Sequence, residues 1–442
     1  MERESLKVFE EALAKLEAGF ADLPAFDESV DIDRLRSVLM QVAERLNDNF
    51  PYHHPLYAGQ MLKPPHPVVR LAYWLAMFIN PNNHALDGGR ASSAMEKEAV
   101  AEIARMFGFA QNLGHLTSSG TIANLEALWI SGQERDGVIL ASGQAHYTHS
   151  RISAVLKLPF DAVAVDKFAH MDMNALEARL KKGDASTVVA TLGTTAAGAV
   201  DPLHEIIPLA RKYGVRVHVD AAYGGYFTLA SNLDDNARRA FDAIPQADSL
   251  VVDPHKHGLQ PYGCGCVLFA DPSLGKHYKH DSPYTYFSSD ELHLGEISLE
   301  CSRAGASAVA LWATQKLLPL EQGGEFARGL EQGRDAAVQW REMLQQDGWR
   351  VAMPPELDIL LFADSNDDSE NLSRASNDIF QRAEKNNLHL AIARFPRALL
   401  EPWWPDLEWR DEQASVLRSC LMKPQHAEWL PEIHARLSTA RR

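Results

Sequence analysis

The sequence is poor in cysteine and has no long apolar run. Four cysteines are spread over 442 residues, too few for the disulfide framework of a small secreted domain. The longest apolar stretch, Leu71–Ile79, has nine residues, whereas a membrane-spanning helix needs about 20. The first residues are charged and lack the apolar core of a signal peptide. We therefore expect a cytoplasmic protein with no membrane partner.

Positive charge is also scarce. The chain has 43 Lys and Arg against 59 Asp and Glu, a formal net charge of −16, and it has no basic run. Such a chain repels nucleic acid and anionic lipid, so we expect neither as a partner. Any anionic ligand must then be held by local groups rather than by the overall field.

Metal-binding patterns are weak. Cys264 and Cys266 lie close in sequence to His255 and His257, but no second cysteine pair stands at the spacing of a zinc site. Free cysteines of this kind are commonly buried as small apolar side chains. We therefore predict no metal.

Helical periodicity dominates the first hundred residues. Apolar side chains recur at helical spacing over 5–20 and 32–46, and a short apolar helix is predicted around 68–78. A further amphipathic helix is predicted over 93–107. Ser92 or Ser93 is placed to cap it, and Glu96 is positioned for a capping box.

Beyond this helix, short apolar or β-branched runs alternate with amphipathic segments. Such alternation is typical of a mostly parallel sheet covered by helices on both faces. From about residue 320 onward, helices and weaker strands predict a smaller unit. The predicted strands of the larger unit are 137–140, 162–165, 187–190, 215–219, 250–252 and 266–269.

The segment 249–256, Ser-Leu-Val-Val-Asp-Pro-His-Lys, carries the strongest chemical signal. A buried-strand pattern leads into Asp253-Pro254 and delivers Lys256 at its end. Ligands of open α/β sheets bind outside the carboxyl ends of strands. A lysine there, flanked by apolar chain, can lose its proton by desolvation and become a nucleophile. The alternative is a surface lysine on a turn.

A second strand-end motif is Val217-His-Val-Asp220, followed by Ala-Ala-Tyr-Gly-Gly. A carboxylate at this place would keep a pyridinium nitrogen protonated, and the small residues after it would let a flat ring approach. The alternative is an aspartate that caps a helix.

Three further motifs gain weight from their order along the chain. Ser118-Ser119-Gly120-Thr121 opens a helix, where main-chain N–H groups suit a phosphate. His146 follows a strand and is able to stack on an aromatic ring. Thr194 and Thr195 follow another strand and offer hydroxyls.

Together these motifs resemble the fold-type-I pyridoxal 5′-phosphate (PLP) enzymes, specifically the group II amino-acid decarboxylases. The resemblance runs from about Asn80 to Arg303 and is most specific at Asp220-Ala-Ala-Tyr-Gly-Gly and Asp253-Pro-His-Lys256. It implies an α/β fold with a mostly parallel seven-stranded sheet flanked by helices. The implied division is an N-terminal helical segment (1–80), a large PLP-binding domain (81–315) and a small α+β domain (316–442).

The resemblance also implies roles for the cofactor-binding residues. Lys256 would carry PLP as a Schiff base, His146 would stack on its ring, Asp220 would pair with the ring nitrogen, and Ala222 would pack on the opposite face. The residues implied around the phosphate are Ser119, Gly120, Thr121 and His255. The residues implied near the ring hydroxyl or the carboxylate are Thr194 or Thr195.

Substrate-side residues follow from the same resemblance. A loop tyrosine reprotonates the product in relatives, and Tyr284 or Tyr286 is the candidate here, with packing at a dimer interface as the alternative. Asn83 and His84 resemble a loop at the mouth of the site. Arg303 lies near the site or anchors the interface. Arg418 would hold the substrate carboxylate, unless it is a surface-strand arginine.

The predicted reaction is decarboxylation of an L-amino acid to its amine and CO2. The family forms homodimers with shared active sites, whose N-terminal helices pack on the partner. Another PLP reaction on the same fold (aldehyde-lyase, desulfurase or aminotransferase) and a non-catalytic PLP-fold binding protein are the alternatives.

Overall fold

A computed structural model describes residues 3–24, 26, 29–279 and 292–442. Within this part, no helix is long and apolar enough to cross a membrane. The helices of the N-terminal and central regions are α1 (Arg3–Ala18), α2 (Ile32–Leu46), α3 (Pro67–Met77), α4 (Leu86–Met106), α5 (Gly120–Glu134), α6 (Thr148–Leu156), α7 (Met173–Leu180), α8 (Leu203–Lys212) and α9 (Asp235–Asp242). Those that follow are α10 (Gly305–Leu317), α11 (Glu325–Gln346), α12 (Ser369–Lys385), α13 (Arg397–Leu400) and α14 (His426–Arg441).

The strands form two separate sheets. The larger, seven-stranded sheet has the order β1-β7-β6-β5-β4-β2-β3, and the smaller, four-stranded sheet has the order β10-β11-β9-β8. The strands of the larger sheet are β1 (Leu113–Thr117), β2 (Val138–Ser142), β3 (Phe160–Val163), β4 (Ala185–Thr191), β5 (Arg216–Asp220), β6 (Ser249–Val252) and β7 (Gly265–Phe269). Those of the smaller sheet are β8 (Arg350–Val351), β9 (Ile359–Ala363), β10 (Ala391–Pro396) and β11 (Gln413–Cys420).

The large sheet is mostly parallel, as predicted. Strands β3, β2, β4, β5 and β6 pair in parallel, and β7 runs antiparallel to both β6 and β1. Strand β4 is buried along its whole length, as continuous apolar runs require when helices cover both faces. Thr191 pairs with Asp220, and Asp220 pairs with Val251. The carboxyl ends of β4, β5 and β6 therefore meet at one edge of the sheet.

The predicted capping box at Ser92 or Ser93 is wrong. Helix α4 begins at Leu86, six residues earlier than Ser92, and is kinked at Gly89, where the backbone is not helical. The Ser92 hydroxyl donates to the main-chain oxygen of Gly89 (3.2 Å), and Glu96 is buried. Glu96 accepts hydrogen bonds from Asn83 and from the main-chain N–H of Leu116. Glu96 therefore makes tertiary contacts and does not cap the start of a helix.

The small sheet is contacted by the segment 56–59 of the N-terminal region. Ala58 donates to the main-chain oxygen of His389 (2.9 Å) and accepts from the N–H of Cys420 (2.8 Å). Leu56 and Ala58 belong to the same buried apolar cluster as Trp340 and Leu417. We propose the division 1–80, 81–315 and 316–442 on the strength of the two sheets, with the segment 56–59 packed on the third unit.

Candidate active site

A cavity of about 180 Å³ opens at the carboxyl ends of the parallel strands. We call it the Lys256 cavity. Most of the residues that the sequence predicts for cofactor binding lie around it, drawn from β5, the loops after β4 and β6, and the starts of α5 and α6. Its lining consists of Ser119, Gly120, Thr121, Asn124, His146, Thr148, Thr191, Gly193, Thr195, Asp220, Ala222, Tyr223, Asp253, His255 and Lys256.

Lys256 faces a buried carboxylate inside this cavity. Its Nζ lies 3.1 Å from Oδ2 of Asp253, and the exposed fractions of the two side chains are 20% and 4%. His255 Nε2 lies 3.6 Å from the same oxygen, and His255 Nδ1 bonds to the main-chain oxygen of Cys264 (2.7 Å). The turn after β6 thus presents an amine whose charge is already compensated.

Asp220 is held by a partner that the sequence reasoning missed. His149 Nε2 donates to Asp220 Oδ2 (2.7 Å), and the N–H of Ala222 donates to Oδ1 (3.1 Å). Burial by itself raises the pKa of Asp220, but the hydrogen bond and the charge of His149 outweigh it and hold that pKa well below its usual value. A carboxylate has about four lone-pair positions, so an ionised Asp220 keeps room for one more donor.

His146 lies half-buried at the entrance to α6. Its Nδ1 is 2.8 Å from Thr148 Oγ1. Burial lowers its pKa, and nearby Asp220 opposes that shift while Lys256 adds to it. The imidazole is therefore neutral at pH 7, a form suited to stacking on an aromatic ring.

The start of α5 closes the other end of the cavity. Ser119 is the N-cap, and its hydroxyl accepts from the N–H of Ile122 (3.3 Å). A Cβ at Gly120 would collide with the carboxylate of Asp253, and a Cβ at Gly265 would lie 2.6 Å from the Ser119 carbonyl carbon. Both glycines let the α5 N-terminus, the positive end of its dipole, approach the Lys256 turn closely.

These groups fit PLP. The α5 N-terminus with the hydroxyl of Thr121 suits a phosphate, the ionised Asp220 suits a protonated ring nitrogen, and Lys256 supplies an amine for an aldehyde. The neutral His146 and the small Ala222 also line the cavity, and both suit contact with a flat ring. All five side chains named for these roles line the same cavity; they are Thr121, His146, Asp220, Ala222 and Lys256.

Arg418 lies beside the cavity without lining it. Its guanidinium donates to the main-chain oxygens of Thr195 (2.6 Å) and Ala196 (3.0 Å), and also to Gln60 Oε1 (3.3 Å). It is only 5% exposed. It also donates to the main-chain oxygen of Gly59 (3.4 Å), and within the described residues no carboxylate lies at ion-pair distance from it.

The other predicted substrate residues lie elsewhere. Arg303 Nη1 bonds to Glu96 Oε1 (2.7 Å) and to the main-chain oxygen of Leu116 (2.6 Å). Asn83 is fully buried and donates to Glu96 Oε2 (2.6 Å). His84 packs against Gly295. These three residues are grouped around α4 rather than at the Lys256 cavity, and their contact with substrate stays a prediction.

Thr194 and the loop tyrosines complete the list of predicted residues. Thr194 is buried, and its hydroxyl accepts from the N–H of Ala199 (3.0 Å), whereas Thr195 lines the cavity. Tyr284 and Tyr286 lie outside the described residues. Of the residues that sequence reasoning passed over, His149 stands three positions after His146, a spacing that would have placed a second imidazole on the same turn.

The comparisons with known proteins agree with this chemistry. Residues 133–349 match the model of the pyridoxal-dependent decarboxylase conserved domain. An L-tyrosine decarboxylase of Enterococcus faecium is 29% identical over 74% of this chain and 71% of the relative. A probable L-tyrosine/L-aspartate decarboxylase of Methanococcus maripaludis is 24% identical over 84% of this chain and 95% of the relative.

A solved structure has the same fold. The crystal structure of mouse CSAD superposes with a TM-score of 0.80 at 21% identity, over 98% of this chain and 92% of that one. Residues 133–349 therefore carry a pyridoxal-dependent decarboxylase domain, and the curated relatives that this chain matches are amino-acid decarboxylases.

Proposed function

We propose that the protein decarboxylates an L-amino acid to the corresponding amine and CO2, with PLP bound in the Lys256 cavity. The observation that carries this proposal is the convergence of Lys256, the His149-supported Asp220 and the α5 N-terminus on one cavity. The relatives named as tyrosine, aspartate and 2,4-diaminobutyrate decarboxylases support an amino acid as substrate. They do not favour the other PLP reactions.

When bound, PLP supplies a conjugated ring that accepts electrons from a bond broken at the substrate Cα. Lys256 would hold its aldehyde carbon, and Asp220 would keep a proton on its ring nitrogen, because an ionised carboxylate favours the charged form of its partner. His146 would fix the ring plane by stacking. Thr195 and His255 line the same cavity and would contact the ring substituents and the phosphate.

Orientation of the substrate decides which bond breaks. The group that holds the substrate carboxylate would set how the bonds at Cα are oriented, and it would thereby select the reaction. We propose Arg418 for this task, because its buried guanidinium lies against the main chain of Thr195 in the cavity wall. Tyr284, Tyr286 or Lys256 would then return a proton to Cα.

The direct test compares Lys256→Ala with a control at an exposed lysine, Lys276→Ala. Lys276 pairs with Glu134 on the surface, far from the predicted chemistry. PLP-loaded proteins are incubated with tyrosine, aspartate, glutamate and 2,4-diaminobutyrate, and CO2 and products are measured. Loss of the nucleophile should lower CO2 release by about 10³-fold or more in Lys256→Ala alone. Equal turnover by both variants, or a keto acid without CO2, would contradict the proposal.

We further propose a homodimer that contacts through α2. No residue of α2 is buried within the described chain. Six of its large apolar side chains recur at helical spacing on one face and are 42–61% exposed. They are Ile32, Leu35, Val38, Leu39, Val42 and Leu46.

A large exposed apolar stripe on a helix marks a surface that packs against another chain. Light scattering should give twice the mass of 49.0 kDa for the protein itself and for the polar-face control Gln41→Glu. The double variant Leu35→Glu/Leu39→Glu should shift toward the monomer. A monomeric parent protein would contradict the dimer.

A further inference from the structure

A second and larger cavity, of about 630 Å³, lies beyond the Lys256 turn. We call it the Lys63 cavity. It is bounded by the segment before α3, by the first turns of α11 and by residues 423–425, and its lining shares no residue with that of the Lys256 cavity. The basic and acidic residues of its lining are His53, Lys63, His66, Arg70, His257, Glu325, Arg328 and Lys423.

Two lysines reach into this cavity without a counter-ion. Lys63 Nζ donates to the main-chain oxygen of Met422 (3.3 Å), and Lys423 Nζ donates to that of Tyr57 (2.6 Å). Within the described residues neither ammonium has a carboxylate at ion-pair distance. An ammonium has three N–H donors, so each lysine has donors left after its one carbonyl contact.

The remaining charges of the lining strengthen the positive field. Arg70 and Arg328 lie exposed on the lining, and Glu325 is its one acidic side chain. This excess stands out in a chain with a formal net charge of −16. A cavity lined by one sign of charge concentrates ligands of the opposite sign.

Burial without a partner makes these charges costly. Burial lowers the pKa of Lys63 to about 8, partly opposed by the charge of Asp358. It lowers the pKa of Lys423 to about 7, and the neighbouring charge of Lys63 adds to that shift. A buried cation gains most from a charge-assisted hydrogen bond to an anion.

We propose that the Lys63 cavity binds a small organic anion with at least two negative charges, carried by carboxylate or phosphate groups. Lys63 and Lys423 would hold one charged group, and Arg70 and Arg328 a second. The apolar walls, made by Pro64, Pro65 and Phe326 among others, would contact the carbon skeleton. The volume lies within the range of small-molecule sites, about 300–1,000 Å³.

The cavity adjoins the Lys256 cavity through a short series of contacts. His257, which follows Lys256 directly, lines the Lys63 cavity and places Nε2 at 3.3 Å from Asp358 Oδ2. Tyr223 donates its hydroxyl to Asp358 Oδ1 (2.6 Å) and lines the Lys256 cavity. An anion at Lys63 would therefore lie two contacts away from the cofactor site and outside it.

Calorimetric titration of the PLP-loaded full chain tests the proposal. The probes are pyrophosphate and citrate, which both carry at least two negative charges at the working pH of 6.5, and the ionic strength is constant. This pH lies below the pKa values of both lysines. We expect saturable binding of one anion per chain. The preference between the two probes distinguishes a phosphate site from a carboxylate site, and either one supports the proposal.

Matched variants locate the binding. Lys63→Met and Lys423→Met should weaken it at least about tenfold, the typical loss for a charge-assisted contact. The exposed Lys181→Met, whose lysine pairs with Glu177, should bind like the parent protein. Arg70→Gln and Arg328→Gln change exposed residues and should therefore destabilise the folded protein less. Each should weaken binding several-fold.

Three results would overturn the proposal. They are the absence of saturable heat with both probes, unchanged affinity in Arg70→Gln and Arg328→Gln, and complete competition by a saturating substrate amino acid. The last would place the anion in the Lys256 cavity. Circular dichroism and the cofactor absorbance show whether each variant is folded. If Lys63→Met does not fold, the two arginine variants decide.

Discussion

Consecutive residues, Lys256 and His257, line two cavities whose charges are arranged differently. In the Lys256 cavity the charged groups are paired, Lys256 with Asp253 and Asp220 with His149. In the Lys63 cavity the two ammonium groups donate to main-chain oxygens, and among the described residues neither has a carboxylate at ion-pair distance. Pairing keeps a site charged and ordered before a ligand arrives, whereas unpaired burial leaves a free-energy cost that a ligand can remove.

The largest effect is expected from changing Asp220, the carboxylate of the Lys256 cavity that is paired with His149. Asp220→Asn keeps the shape but removes the charge that, in the proposed mechanism, would favour a protonated ring nitrogen. We expect CO2 release to fall by about 10³-fold, since this charge would act on the electron sink itself. Steady-state assays with the preferred substrate measure it. The exposed Asp235→Asn serves as control, and similar losses in both variants would argue against a specific role for Asp220.

Removing the partner of that carboxylate should have a smaller effect. His149→Leu leaves Asp220 without its buried donor, and we expect activity to fall about 10–100-fold, as for other groups that orient a catalytic residue. The pH profile of the cofactor absorbance should shift as well, because the pKa of Asp220 rises. His149→Gln retains a donor and should recover part of the loss. Identical behaviour of the two variants would mean that packing alone matters.

The contact between the two cavities can be tested by stability. Tyr223→Phe leaves the buried Asp358 without the donor at 2.6 Å, which should cost about 1–3 kcal/mol of unfolding free energy. Tyr226→Phe is the matched control. Its hydroxyl is buried with no hydrogen-bond partner among the described residues, so its removal should cost little. Denaturant titration of both variants measures the difference in unfolding free energy. Equal losses would contradict a stabilising hydrogen bond from Tyr223 to Asp358.

The smallest effect concerns pH. The pKa values of Lys63 and Lys423 are lowered to about 8 and about 7 in the folded protein, below the unfolded value of about 10.4. The cost of their burial is therefore fully present below pH 7 and is relieved as pH rises toward 10, because the unfolded chain then binds more protons. His257 lines the same cavity and lies 3.3 Å from the buried Asp358, so the comparison is made against Lys63→Met. Its stability should gain less than that of the parent protein between pH 7 and 9.

The paired site was largely predictable from sequence, because its residues follow strands. Apolar runs located β4, β5 and β6, and their polar successors meet at one edge by the geometry of parallel strands. Strand β1 was not predicted, since Leu113–Thr117 contains Gly114 and His115 and shows no continuous apolar run. His149 was passed over although it stands three positions after His146, because its partner Asp220 lies 71 residues further along the chain.

The Lys63 cavity could not be predicted at all. Its charges come from four distant stretches, around residues 53–70, 257, 325–332 and 423–425, and none of these is a basic run. The same holds for Ser92 and Glu96, whose spacing resembles a capping box but whose partners, Asn83 and Arg303, are supplied by tertiary contacts. Sequence spacing predicts contacts between residues that are close in the chain. A site built from distant residues depends on tertiary packing, which the spacing does not show.

The segment 56–59 has a consequence for the synthesis of this protein. Ala58 accepts from the hydroxyl of Ser419, which lies 361 residues later in the chain, and Arg418 donates to Gly59. At about 5–20 residues per second, a ribosome needs roughly 20–70 s to make the intervening chain. For most of that time the partners of Leu56 and Ala58 in the small sheet and its apolar cluster, His389 and Trp340 among them, have not yet been made. We expect chaperones to hold this early segment until the last strand emerges, and the arginine beside the cofactor site to be set in place last.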